Sequence, residues 1–278
     1  MRLLLPGGIL LLCLALAAWG NEAARAEGSD TLGLHYSLTS EGKPIGESVQ
    51  WLIRRGDVYR SIQYSHINIS SWWGNIDIGS VTTEHFLGAG FVRSVSSTLE
   101  SRKAHRLVAE RRGNRLEGTY VKVDATAKDR ESFEALAQRA RHAPAADLPD
   151  LIAQSEALLS EHAQQAKALA PTPARFDTTE NHLPFFIHAL GAQAMPAELR
   201  LLDTDSLTIH TVKVEDLGDA TLTISGQAVR CRHLTLVGKK GKPAHLWITT
   251  PPDALPHMLR FVGEDDDGQV DIQLTRYL

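Results

Sequence analysis

Cysteine is almost missing from this chain of 278 residues: Cys13 and Cys231 are the only two. At most one disulfide can form. If the leading segment that carries Cys13 is removed, none can, so an apolar core must hold the fold together. Long apolar runs are missing too. The longest, "GILLLCLALAAW" at residues 8–19, falls short of the ~20 residues a bilayer-spanning helix requires. Charge of either sign is not in excess, with 29 Lys and Arg against 33 Asp and Glu. That balance gives no electrostatic reason to expect nucleic acid as a partner. The signatures of common catalytic machinery are likewise absent. There is no GxSxG, no phosphate-binding glycine loop, no dinucleotide fingerprint, no HExxH and no Cys-x-x-Cys, so the sequence predicts no catalytic residue, no cofactor and no metal site.

What is present begins with an export signal. Arg2 supplies a positive start, the apolar run follows, and Ala24-Arg25-Ala26 fits a small-x-small cleavage site. The expectation is cleavage after Ala26, a periplasmic or secreted location, and no transmembrane segment in the mature chain. Removal of Arg2, Arg25 and Glu22 takes away two positive charges and one negative, which shifts the formal net charge from −4 to −5. Cys231 is then the one remaining cysteine, and nothing near it supplies the base and orienting group of a thiol enzyme, so it is expected in the core.

From Thr31 to about Val123 the apolar residues alternate. Leu32, Leu34, Tyr36 and Leu38 repeat at period two, as do Val49, Trp51 and Ile53 after the turn "EGKPIG". Short connections such as "RGDV" and "RRGNR" predict antiparallel neighbours in a meandering sheet. Between Ala125 and Ala170 glycine vanishes and Ala, Gln, Glu and Leu dominate. Residues 128–142 and 146–170 are expected to form two amphipathic helices, joined near "APAA" and ended by Pro171 and Pro173. This helical hairpin is read as an insertion in a single β domain spanning residues 27–278. Strands return with "QAVRCRHLTLV", "AHLWITT", "HMLRFVG" and "QVDIQLTRYL", which can belong to the same continuous sheet.

The segment "ENHLPFFIHALGAQAMP" at residues 180–196 breaks the alternation. Burying each of Leu183, Phe185, Phe186, Ile187 and Leu190 is worth ~1.5–3 kcal/mol, so they must be covered. Asn181 suits a cap, Pro184 a first turn and Gly191 a stop, predicting a short helix that plugs a curled sheet. His182 and His188 are six apart and do not share a helical face. Phe185 and Phe186 on the plug, with Trp72, Trp73 and Trp247 as lining, are the candidate ligand-binding residues. The basic residues Arg93, Arg102, Lys103, Arg106, Arg111, Arg112 and Arg115 are expected on solvated strand faces and edges. Glu84, Asp203 and Asp205 are carboxylates that folding can pair, which no spacing in the sequence reveals.

The C-terminal half, "AELRLLDTDSLTIHTVKVEDLGDATLTISGQAVRCRHLTLVGKKGKPAHLWITT" followed by "LRFVGEDDDGQVDIQL", and the opening "LHYSLTSEGKPIGES" resemble a broad family of uncharacterised bacterial exported proteins. That family folds as a spiral β-roll, distantly similar to the half-barrels of periplasmic lipoprotein carriers. The points of likeness are Leu202-Asp203-Thr204, the stretch from Gly226 to Cys231, and Leu246-Trp247. Departures are "TTPPDALP" after the Leu-Trp strand and the helical segment at 125–170. The resemblance implies an envelope location, a concave sheet with an apolar interior, and no established enzymatic role. The expected class is therefore mainly β (α+β): an antiparallel spiral β-roll or half-barrel with a helical plug and an inserted helical hairpin. The leading functional expectation is non-enzymatic binding of a lipid, acyl chain or other apolar small molecule. An envelope scaffold whose hairpin docks a protein partner is the second, and a hydrolase of an envelope polymer the third.

Overall fold

The computed structural model describes residues 29–71, 74–190, 195–238, 242–250, 255–265 and 268–278. The proposed export signal, Trp72, Trp73 and Gly191 lie outside the described residues. Seven antiparallel strands come first: β1 (Ser29–Ser40), β2 (Lys43–Arg55), β3 (Val58–Ser71), β4 (Gly74–Leu87), β5 (Gly90–Glu100), β6 (Lys103–Arg112) and β7 (Arg115–Asp124). Glu41 and Gly42 make the β1–β2 turn with φ of 51° and 72°, the left-handed pair that a two-residue hairpin needs. Helices α1 (Ala127–His142) and α2 (Leu148–Ala157) follow, then the two-residue strands β8 (Lys167–Ala168), β9 (Thr172–Pro173) and β10 (Thr178–Thr179), and helix α3 (Leu183–Leu190). The chain closes with β11 (Glu198–Asp203), β12 (Thr208–Ile224), β13 (Gln227–Val237), β14 (Pro243–Thr249), β15 (Met258–Asp265) and β16 (Gly268–Tyr277).

Both strand blocks belong to one sheet, the arrangement the sequence left open. β16 pairs antiparallel with β1, so the order runs from β10 through β11–β16 to β1–β7 and ends at β8. The architecture is mainly β, a large antiparallel sheet with a few helices. It curls until β10 lies beside the far half, where the Thr179 hydroxyl reaches Glu84 of β4 at 3.2 Å. One inner and one outer face result.

The helical hairpin covers part of the outer face. Val49, Trp51, Ile53, Ile62, Tyr64, Val81 and Leu99 project there and pack with Phe133, Leu136, Leu148, Leu151, Ile152, Leu158 and Leu159. Helix α1 starts at a capping box: Thr126 Oγ1 accepts from Asp129 N–H at 3.1 Å and Asp129 Oδ2 accepts from Thr126 N–H at 2.7 Å. Trp51 Nε1 donates to the Ala140 carbonyl at 2.8 Å, and the Tyr64 hydroxyl bonds Ser155. Glu156 is gripped by Arg93 at 2.8 Å and His85 at 2.6 Å, while Arg106 donates to its carbonyl at 2.9 Å. Arg93 and Arg106 thus clamp the hairpin instead of standing free on a solvated face.

The second helix is shorter than its composition suggests. It stops at Ala157, and Leu159 takes a left-handed φ of 60° before a short 3₁₀ stretch at Ser160–Gln165. The turn buries Leu158 and Leu159 together. The following residues leave helical form to satisfy the edge of β7, with Leu169 N–H donating to the Gly118 carbonyl at 2.8 Å. Burial of adjacent leucines and pairing of an open strand edge outweigh helix propensity here. Gly79 sits directly beneath the Phe133 ring, where a Cβ would overlap it. Gly79→Ala is expected to cost ~1–3 kcal/mol of stability by overpacking; an unchanged urea midpoint would show that this contact is not tight.

Candidate ligand cavity

The inner face encloses a cavity of about 520 Å³, within the ~300–1,000 Å³ common for small-molecule sites. Its two walls differ chemically. Leu201, Val212, Leu236, Ala244, Leu246 and Phe261 form an apolar wall from the C-terminal strands. Opposite them, β2, β3 and β4 contribute Ser48, Gln50, Gln63, Ser65, Ser80 and Thr82, beside the apolar Leu52 and Ile67. Strand alternation causes this division. Val49 and Trp51 turn outward to the hairpin, so Ser48 and Gln50 must turn inward. The polar wall is internally bonded: Ser65 donates to Ser48 Oγ at 2.9 Å, and Ser48 donates to the Tyr64 carbonyl at 3.0 Å.

Helix α3 closes one part of the cavity. Leu183 and Ile187, four apart, share a buried face against Leu199, Leu201, Val214, Leu234 and Leu246. Leu183 and Pro184 reach the cavity wall. Phe185 and Phe186, expected as binding residues, do not. The helix face defined by 183 and 187 places them to the sides. Phe185 packs on Tyr59 and His182, each with ring centroids 4.8 Å away, and Phe186 joins the cluster of Leu199 and Leu201. Trp247 is also displaced from the expected lining. Leu246 and Ile248 take the inward positions, so Trp247 faces outward, stacked on His233 at 4.3 Å with Arg260 5.5 Å above its ring. Asn181 does not cap α3 with its side chain; it donates to Glu84 at 3.4 Å, and Thr179 Oγ1 accepts from His182 N–H.

Four carboxyl groups converge at this end: Glu84, Glu180, Asp203 and Asp205. Glu84 is fully buried and accepts from Thr179 and Thr204 at 3.2 Å, from Asn181 at 3.4 Å and from Ser61 at 3.5 Å. Burial pushes its carboxyl up to about 7, against these bonds. Asp205 lines the cavity and accepts from Ser96 at 2.5 Å and Thr82 at 3.3 Å. Burial, followed by the charge of Asp203, raises it. Glu180, also on the wall, is pushed up to about 7 by burial and then by Asp203 and Asp205. Glu180 and Asp205 are exposed to solvent although many protein atoms surround them, as expected of side chains that border a hollow. The sequence named Glu84, Asp203 and Asp205 as carboxylates that folding can pair, and the fold brings them to one region. Glu180 carried no such signal.

Elsewhere, Asp129, Glu161 and His162 place three ligand-type atoms within 4.8 Å of one another. Asp129 is committed to its cap and Glu161 holds Lys128 at 2.5 Å, so this grouping anchors a helix start. Cys231 is completely buried and its thiol is raised by burial. Among the described residues no helix is long and apolar enough to cross a membrane.

No protein-family model matches the chain, and no curated protein matches it either. Among solved structures it is similar to the β-barrel-like protein of the domain of unknown function DUF1849 from Brucella abortus. The TM-score is 0.53 at 10% identity, and the alignment covers 89% of this chain and 96% of that one. The likeness establishes a β-barrel-like fold.

Proposed function

We propose that this is an exported, non-enzymatic protein of the bacterial envelope that holds an apolar or amphipathic molecule, a lipid or acyl chain, inside its curled sheet. One observation carries the reading: a cavity of about 520 Å³ with an apolar wall and a polar wall, bordered by Leu183 and Pro184 of α3. An apolar tail gains by leaving water for the wall of Leu201, Leu236, Leu246 and Phe261. Its head finds hydroxyl and amide partners opposite. Export is supported by Arg2, the short apolar run and Ala24-Arg25-Ala26, and by a remaining chain with one cysteine. The likeness to lipoprotein-carrier half-barrels stated for the C-terminal strands points the same way. The scaffold alternative is less favoured, because the apolar face of the hairpin is spent on the sheet.

Ala244→Trp tests this reading by filling the cavity from the apolar wall. The full chain is titrated with a fluorescent single-chain lipid probe. Affinity is expected to fall by roughly ten-fold or more in the variant, about 1.4 kcal/mol, with little change in the melting temperature. Equal binding by both proteins, or none by the wild type, contradicts the proposal.

A further inference from the structure

The two walls of the cavity hold different chemistry, and its border carries ionisable groups as well. Among the described residues five ionisable side chains border the space: Tyr36, Glu180, Asp205, Lys242 and His257. The two basic candidates are already engaged. Lys242 Nζ is bound to Glu264 at 3.0 Å, while the His257 ring bonds the Leu255 carbonyl at 2.9 Å and the Tyr277 hydroxyl at 3.2 Å. The acids are not. Both hydrogen bonds to Asp205 fall on Oδ1, and among the described residues the Glu180 carboxyl accepts none. Among the described residues, therefore, both Glu180 oxygens and Asp205 Oδ2 receive no hydrogen bond.

An ammonium group has three donors and no acceptor, which matches these three acceptor oxygens. A carboxylate or phosphate head would instead face Glu180 and Asp205, with Asp203 and Glu84 close enough to act on them, and would be repelled by like charge. From the cavity's asymmetry we infer that the bound amphiphile carries a protonated amine head. The head sits between Glu180 and Asp205, and the tail lies along the wall of Leu201, Leu246 and Phe261. This rests on the binding reading above and adds the class of ligand.

Three probes with one tail separate the two claims: dodecylammonium, dodecyl glucoside and dodecanoate, each titrated calorimetrically into the full chain at neutral pH below its micelle concentration. Dodecylammonium is expected to bind roughly ten-fold or more tightly than dodecanoate, with the glucoside between them. Glu180→Gln/Asp205→Asn is expected to bring the three to within a few-fold of one another, and Ala244→Trp to weaken all three. If the double variant misfolds by near-ultraviolet circular dichroism, Glu180→Gln alone is expected to remove more than half of the preference on a logarithmic scale. Equal affinities in the wild type, a preference for dodecanoate, or an ammonium preference untouched by these variants overturns the head-group inference and leaves the cavity reading standing. Failure of all three probes to bind overturns both.

Discussion

Replacing residues 127–165 by a short glycine linker is expected to leave a protein with no cooperative unfolding transition. The hairpin covers Val49, Trp51, Ile53, Ile62, Tyr64, Val81 and Leu99 on the outer face of the sheet. Returning seven such side chains to water, at ~1.5–3 kcal/mol each, forfeits on the order of 10–20 kcal/mol. A domain of ordinary stability has only ~5–15 kcal/mol to lose. The indole N–H of Trp51 would also lose its carbonyl partner on Ala140, and Arg93, His85 and Arg106 would lose Glu156. By contrast, alanine at the exposed Glu131 or Glu134 should shift stability by less than ~0.5 kcal/mol. Denaturant unfolding followed by tryptophan fluorescence checks both. A soluble deletion variant with a sharp transition would return the hairpin to the status of a dispensable insertion.

Stability should fall between about pH 4.5 and pH 7, and Glu84→Gln should flatten most of that slope. Glu84 has no exposed surface, and burial raises its carboxyl from 4.5 to about 7. Its native state therefore holds a proton that the unfolded chain releases in this interval. The contribution is fully present below about 4.5 and is lost as pH rises through about 7. At about 1.4 kcal/mol for each pH unit, the loss is on the order of 3 kcal/mol. Glu180 and Asp205, also raised, add slope of the same sign, damped by their contact with water. Carboxyls held low, such as Glu156 beside His85 and Arg93, act with opposite sign and at lower pH. Urea midpoints between pH 5 and pH 8 measure the effect. An equal slope in Glu84→Gln would mean that the buried carboxyl is ionised throughout.

Much of the fold was legible in the sequence because strand alternation and turn residues are local signals. "QAVRCRHLTLV" coincides with β13, and the helical hairpin begins where glycine vanishes, although its second helix ends at Ala157, well short of Ala170. The inside of the sheet was not legible. Sequence reasoning sends alternate polar residues outward, yet Ser48, Gln50, Thr82 and Ser96 are buried on the inner face. Apolar Val49 and Trp51 take the outer face because helices cover it. Which face receives the hairpin is a tertiary fact, and no period within β2 encodes it. The same blindness misplaced the candidate lining. Phe185 and Phe186 had to be buried, but their neighbours Leu183 and Ile187 won the central position by sharing a helix face. The wide spacing of Glu84, Glu180 and Asp205 hid their convergence.

The most direct measurement is an experimental structure of the protein soaked with a dodecylammonium whose terminal carbon carries bromine. The anomalous signal locates the tail without reference to any assumed pose. The account predicts a bromine peak inside the sheet, within van der Waals reach of Leu201, Leu246 or Phe261. A peak confined to the outer surface, or an interior that admits no bromine at saturating probe, would contradict it.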